Sequence, residues 1–451
     1  MTIKYSMIAS LVALSLSSYS VNADSLLEVY QSAKLKDPVI LKSKARYDNA
    51  VEQITDAKAA LLPQIGFGLD SNYVDSSQNA TDNTNYGGNI SLSQSIYNGN
   101  YWQQFDIAEK QAMQFAAIYG NAAQDLILRT SIAYFAILRA DEAVKSVQAN
   151  KRAVSRQLEQ TKQRFEVGLI AITDVHEAQA EYDRTVASEI IAQNDLDNSY
   201  YALREITGED IRNISFLNTK TFSTQPLNGD AQVWRNTSID KNLDLHSKRI
   251  AKEIAKMQID LAEKGHNPTL DLVADVGYRD IDYDKDDFRS GDASTGSIGL
   301  KFSVPLYTGG KLTSQVKQAQ YNYVYMSEEL VESFRLIESQ VSRGYNDVGA
   351  SISSIRAYEQ TVVSSQSALK ATEAGFEVGT RTIVDVLDST RKLYSAENQL
   401  ANARYDYIVS VLQLKYSAGT LSEQDVIDIS AGLVEKDPNP AKQPDDTSPD
   451  I

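Results

Sequence analysis

The sequence predicts a mostly α protein with some β structure, built as two copies of one unit, and three observations carry that prediction. Proline, which breaks helix interiors, is absent between Pro63 and Pro226 and again between Pro305 and Pro438. Both gaps are rich in Ala, Gln, Glu, Lys and Leu, which favour helix, so they admit very long helices. An apolar stripe with alternating spacings of three and four runs through the first gap: Ile137, Ala140, Val144, Val147, Lys151, Val154, Leu158, Thr161 and Phe165. That spacing is a coiled-coil seam. The stripe returns 211 residues later as Val348, Ser351, Ile355, Tyr358, Val362, Ser365, Leu369, Thr372 and Phe376, and a constant offset of this length marks an internal duplication. The third observation is a pair of segments in each half that alternate with period two, the mark of strands with one apolar face.

Further anchors fit the duplication. Phe165-Glu166-Val167-Gly168 matches Phe376-Glu377-Val378-Gly379, Asp174-Val175 matches Asp385-Val386, Thr173 aligns with Val384, and Gly208 with Gly419. Upstream, Ser95 to Gly99 matches Pro305 to Gly309 at an offset of 210, and Pro63 matches Pro268.

Taken in order, residues 1–23 read as a secretory signal, with basic Lys4, an apolar run from Met7 to Leu16 and the small-residue site Val21-Asn22-Ala23. Residues 24–63 read as the first-repeat helix. In the first hairpin, 64–98, Ile65, Phe67 and Leu69 alternate with Gly66, Gly68 and Asp70, and Ile90, Leu92, Gln94 and Ile96 alternate with serines; a polar loop, 72–88, lies between. Long helices fill 99–208, the first of them about 100 Å from Asn100 to Val167. A mixed segment, 209–235, leads to the second-repeat helix, 236–267. The second hairpin, 268–307, alternates at Leu270, Leu272, Ala274, Val276 and Tyr278, then at Ile298, Leu300, Phe302 and Val304, around a polar loop, 279–296. Long helices return over 308–418, a second mixed segment over 419–436, and the proline-rich stretch 437–451 reads as a disordered tail.

Each strand runs about ten residues, the length a tilted strand needs to cross a bilayer. Tyr97, Tyr101, Trp102 and Tyr307 lie where strand passes to helix, either as a membrane-interface girdle or as ordinary packing at a junction. Four strands cannot close a barrel, and an open edge in lipid is forbidden. Such a chain must oligomerise: two copies give eight strands, three give twelve.

Composition excludes other classes. A formal net charge of −16 opposes a nucleic-acid partner. The three histidines are scattered and cysteine is absent, which removes multi-histidine metal sites, disulfides and thiol nucleophiles. No run of eighteen apolar residues indicates a transmembrane helix. Asp280, Asp282, Asp284 and Asp286 imitate a calcium loop, but Lys285 and Gly291 stand where its glycine and glutamate belong, so the stretch reads as a solvated loop. No phosphate loop, metalloprotease motif or triad is present. The chain reads as neither an enzyme nor a cofactor protein.

The duplication, the hairpins set inside helical repeats, and the stretches FEVGLIAITDV and FEVGTRTIVDVLD, with ITDVHEAQAEYD in one copy and LANARYDY in the other, resemble the TolC family of outer-membrane efflux and secretion channels. The resemblance covers nearly the whole mature chain. It implies a homotrimer in which each chain gives four strands to one twelve-stranded barrel in outer-membrane lipid, while the helices form a tapering α-barrel through the periplasm. Periplasmic adaptor proteins and inner-membrane RND, ABC or MFS transporters would dock at its tip, and drugs or protein toxins would leave through it. Asp385 and Asp388 would line the narrowest point, where six carboxylates raise one another's pKa. Arg381 would lock the entrance through Thr173 and Asp174. Phe376 stands where the family pattern has a tyrosine sharing that lock, so that hydroxyl bond is missing here. Gly168 and Gly379, with Thr380, would form the docking tips.

From the residues alone, Thr382-x-x-Asp385 is a capping box, Asp174 is favoured in a first helical turn, Arg381 is a solvated turn residue and His176 a surface histidine. Asp388 lies beyond the first turn and has no such reading. The copies differ at the tip, with Glu177 for Asp388 and Ile170 for Arg381. A coiled-coil scaffold or adhesin without a pore is the competing reading, and it gives no reason for paired ten-residue strands.

Overall fold

The computed structural model describes residues 24–75, 82–283 and 291–434. The signal segment, the proline-rich stretch 437–451 and Asp284, Lys285 and Asp286 of the calcium-like loop lie outside the described residues. The first repeat runs α1 (Leu26–Lys36), α2 (Pro38–Ala59), β1 (Gln64–Val74), β2 (Asn83–Tyr97), α3 (Gly99–Glu166) and α4 (Ile172–Thr207), followed by the short strand β3 (Phe216–Leu217). The second runs α5 (Ala231–Lys241), α6 (Leu243–Lys264), β4 (Thr269–Tyr283), β5 (Gly291–Ser303), α7 (Lys311–Glu377) and α8 (Ile383–Ser417), followed by α9 (Glu423–Ser430) and β6 (Leu433–Val434).

Each repeat opens on two helices where the sequence suggests one. The breaks fall at Asp37 and Asn242, and 242 − 37 gives 205, the separation of Pro63 from Pro268. Pro38 suits only a first turn, so the helix must restart there, and Asp37 caps the restart by accepting the Ile40 N–H at 3.1 Å. Asn242 repeats the device without a proline: its Oδ1 accepts the Leu245 N–H at 2.9 Å, and its Nδ2 donates to the Ser417 carbonyl at 2.9 Å. Helix α5 begins at Ala231, ahead of the expected 236, because Asp230 accepts the Val233 N–H at 3.0 Å.

The strands are also longer than expected. They span 11, 15, 15 and 13 residues, and pairing continues into the polar stretches, through Asn72 with Asn85 and Ile281 with Gly291. Period-two hydrophobicity marks only the stretch where one face is apolar, and the ladder continues past it through residues that break the alternation.

The four long strands form one antiparallel sheet in the order β1-β2-β4-β5. Its register puts the apolar positions on one face: Ile65 lies opposite Leu92, Leu92 opposite Ala274 and Ala274 opposite Ile298, while Phe67, Ile90 and Val276 form a second row. Ile65, Phe67, Ile90, Val276, Ile298, Leu300 and Phe302 are all more than half exposed. The other face carries Asp70, Asn89, Asp271, Asp275 and Lys301, with Asn89 donating to Asp275 at 3.2 Å. An apolar face of this extent does not stay in water.

Next to the sheet the helices pack side by side in the order α2-α3-α6-α7, and toward the far end in the order α4-α3-α8-α7. Helix α7, 67 residues long, is therefore an edge of both layers. It exposes Tyr321, Val324, Tyr325 and Val363, and the opposite edge exposes Val51 on α2 and Ile190 and Ile191 on α4. This explains the unequal burial of the heptad stripes. Ile137, Val144, Val154, Leu158 and Thr161 of the interior helix α3 are buried, whereas in the α7 stripe only Val348, Ile355 and Phe376 are buried. Among the described residues no helix is long and apolar enough to cross a membrane.

The main core sits at the waist, where Leu26 and Val29 of α1 and Val426 of α9 gather with Leu126, Tyr134, Phe135 and Leu412. A two-strand ladder, Phe216 with Val434 and Leu217 with Leu433, ties the ends of the two repeats together there. Near it Asp37, 2 % exposed, accepts from Arg129 Nη2 at 2.8 Å. Burial works against that carboxylate's charge, but the hydrogen bonds from Arg129 and from the Ile40 and Val39 amides outweigh it and hold the group below the usual carboxylate range. Replacing Arg129 with Met strands a buried charge and is expected to destabilise the waist by on the order of 3 kcal/mol. Because the folded pKa is depressed, the Asp37 contribution is complete above the ordinary carboxylate pKa and lost as pH falls through the lowered folded value. Thermal unfolding of both proteins across pH 2–7 checks this: their difference should shrink at the acid end.

Candidate functional site at the hairpin tips

The turns α3–α4 and α7–α8 place two helical hairpin tips side by side. Both turn on a glycine in the left-handed region, Gly168 at φ +77° and Gly379 at φ +79°, where a side chain is strained. The duplication extends to individual hydrogen bonds. Gly168 N–H donates to the Phe165 carbonyl at 2.9 Å and Leu169 N–H to Arg164 at 2.9 Å; Gly379 N–H donates to Phe376 at 3.1 Å and Thr380 N–H to Gly375 at 2.8 Å. These bonds satisfy the last helical carbonyls. The turns leave Val167, Leu169 and Val378 standing out into solvent, each about 70 % exposed or more. The sequence singles out the glycines but not these apolar residues that the glycines present.

Helix α8 starts with the expected capping box. Thr382 Oγ1 accepts the Asp385 N–H at 3.3 Å, and Asp385 Oδ2 accepts from the Thr382 N–H at 2.9 Å and from its hydroxyl at 3.0 Å. The Thr382 amide, and then its hydroxyl, hold the Asp385 carboxyl below the usual range, with only a minor opposing push from Asp388. Asp388 has its own cations one turn on: Lys392 Nζ at 2.7 Å, and Arg391. Lys392 foremost lowers its pKa. Within one chain, then, the push of Asp388 on Asp385 is outweighed by local partners. Each is stabilised in its charged form by a separate neighbour.

On the first-copy side Asp174 is half-buried in the first turn of α4, while Thr173 and His176 are exposed. Ala171 offers no capping side chain there. Among the described residues no hydrogen bond or ion pair within the chain joins Arg381 to Thr173 or Asp174. The Arg381 charge acts instead on Asp385, and its stem lies along Gly375, where a Cβ would come within 2.8 Å of Arg381 Cγ.

Phe376 is 9 % exposed, in a cluster with Val154 and Leu158 of α3, Ala178 of α4 and Ile383, Val386 and Leu387 of α8. The Arg164 guanidinium stands 4.6 Å from the centroid of its ring. Sequence reasoning missed Arg164. The available signal was that it precedes Phe165 in the first copy while Gly375 precedes Phe376 in the second.

Thr382→Ala removes the hydroxyl half of the cap. The expected result is several-fold faster amide exchange at Asp385, with Gly168 unaffected, measured by hydrogen exchange. Since the folded pKa of Asp385 is lowered by the Thr382 amide, the carboxylate's hold on that amide is complete above the ordinary carboxylate pKa and is lost as pH falls through the lowered value.

Comparison with known proteins places this architecture. The family model described as "Outer membrane efflux protein" matches residues 29–209 and 234–420, the two repeats. Outer membrane protein TolC of Vibrio cholerae is 47% identical over 422 residues, covering 93% of this chain and 96% of that protein. The alkaline protease secretion protein AprF of Pseudomonas aeruginosa is 27% identical over 440 residues, covering 93% and 89%. Among solved structures the Campylobacter jejuni CmeC outer membrane channel superposes with a TM-score of 0.78 at 16% identity, covering 96% of this chain and 97% of that one, which shows the shared fold. The chain belongs to the outer membrane efflux protein family.

Proposed function

We infer that the protein is an outer-membrane exit duct, passing drugs or proteins delivered by inner-membrane transporters across the periplasm and outer membrane. One observation carries this: sheet and helices are open along corresponding edges. The open outer edges of strands β1 and β5 and the edge helices α2, α4 and α7 leave one incomplete wall running through both parts. Three copies supply twelve strands and close it into one tube, with the apolar face of the sheet in lipid and the helices in the periplasm. A pore-free scaffold or adhesin is not favoured, because it leaves that apolar face without a solvent. Both kinds of cargo have support, since the family is named for efflux and one relative for protease secretion. The family is one of channels.

The finer partners follow the same reading: a periplasmic adaptor and an RND, ABC or MFS transporter engage the tips around Gly168, Gly379 and Thr380. Asp385 and Asp388, from three chains, form the constriction. Their capped and paired geometry supports a ring kept charged, which attracts cations. Arg381 acts in the lock between neighbouring copies, with Thr173 and Asp174 opposite it.

In planar bilayers the purified protein is expected to form a cation-selective channel of low conductance, blocked by multivalent cations from the periplasmic side. Asp385→Asn together with Asp388→Asn should abolish that block; unchanged block and selectivity would remove both residues from the constriction. A strain lacking the gene should gain drug susceptibility, lose toxin secretion, or both, which separates efflux from secretion. A soluble monomer absent from the outer-membrane fraction would sink the duct reading altogether.

A further inference from the structure

The contact between Arg164 and Phe376 crosses from one tip hairpin to the other. Arg164 lies in the last turn of α3 and Phe376 at the end of α7. The ring packs against residues of α3, α4 and α8. Among the described residues Arg164 has no carboxylate within salt-bridge reach, although Glu373 and Glu377 border the same groove. Its seat is the ring face. A planar, weakly hydrated guanidinium suits such a seat better than an ammonium does.

The repeats show that this contact runs in one direction only. At the 211-residue offset Arg164 corresponds to Gly375, and Phe165 to Phe376. The second copy has no arginine to cover Phe165, which is 39 % exposed, and the space at Gly375 is taken by the stem of Arg381. The two copies have exchanged their cation: Arg164 with Ile170 in one, Gly375 with Arg381 in the other. Arg164 thus reaches across to the second hairpin, while Arg381 lies back along its own.

We propose that Arg164 is a gating residue, whose guanidinium on the ring of Phe376 clasps the two tip hairpins of each protomer and holds the entrance closed. The proposal rests on the duct reading and adds a contact within the protomer to the lock between copies. Any opening that swings α7 and α8 away from α3 and α4 must lift the cation off the ring. A phenylalanine at this position is then a fitting surface for a cation rather than only a tyrosine lacking its hydroxyl. A contact of this kind shifts a closed-to-open equilibrium by roughly threefold to thirtyfold, and three protomers opening together multiply the factor.

Single-channel conductance in planar bilayers tests it, with heat-resistant trimer migration as the control for assembly. Arg164→Ala and Phe376→Leu should each raise conductance or open probability at least threefold with the trimer intact. Phe376→Tyr, which keeps the ring, should remain closed. The double variant Arg164→Ala with Phe376→Leu should be no more open than the more open single variant, because both remove one contact. Wild-type conductance from an intact Arg164→Ala trimer overturns the clasp, as do effects that multiply in the double variant. If Arg164→Ala fails to assemble, Arg164→Lys decides, since it keeps charge and stem but loses the planar stack: no increase overturns the proposal. A wild-type protein that forms no channel overturns the duct reading instead.

Discussion

Everything in this fold depends on backbone groups that lipid cannot hydrogen-bond. Strands β1 and β5 each present one unpaired edge, and in hydrocarbon each orphaned N–H or C=O costs several kcal/mol. Only another strand can pair them. Since the sheet edges are matched by helix edges, the copy that completes the barrel also completes the tunnel. Folding of the membrane part and assembly of the periplasmic part are therefore one requirement, expressed at two heights.

Much of this was legible in the sequence because its causes are periodic. The heptads, the alternating strands and the 211-residue offset each repeat often enough to stand out. What escaped was aperiodic or cooperative. The helix breaks at Asp37 and Asn242 rest on single capping side chains, and only the first has a proline beside it. The outer ends of the strands continue pairing through stretches where Asn, Thr, Gly and Asp break the apolar alternation.

At the tip the sequence showed two aspartates three residues apart and an apparent repulsion between them. The structure gives each its own partner, so the stripe carries little strain within the chain: Thr382 holds one carboxylate, and Lys392 and Arg391 hold the other. Local partners at i+3 and i+4 are visible in sequence once a helix is assigned. The cation over Phe376 is not, because it comes from a residue 212 positions away, 376 minus 164.

The edge helix α7 has a further consequence. It is one continuous rod of 67 residues, and its repeat mate α3 has 68. Together they set the distance from the membrane to the tip. A single inserted residue would turn everything beyond it by about 100° and send the seam to the wrong side. The reach of the tunnel can therefore change only by near-whole numbers of turns, a heptad being the smallest step that keeps this seam, made in both rods at once. A chain of this kind measures the periplasm with a ruler graduated at roughly 10 Å.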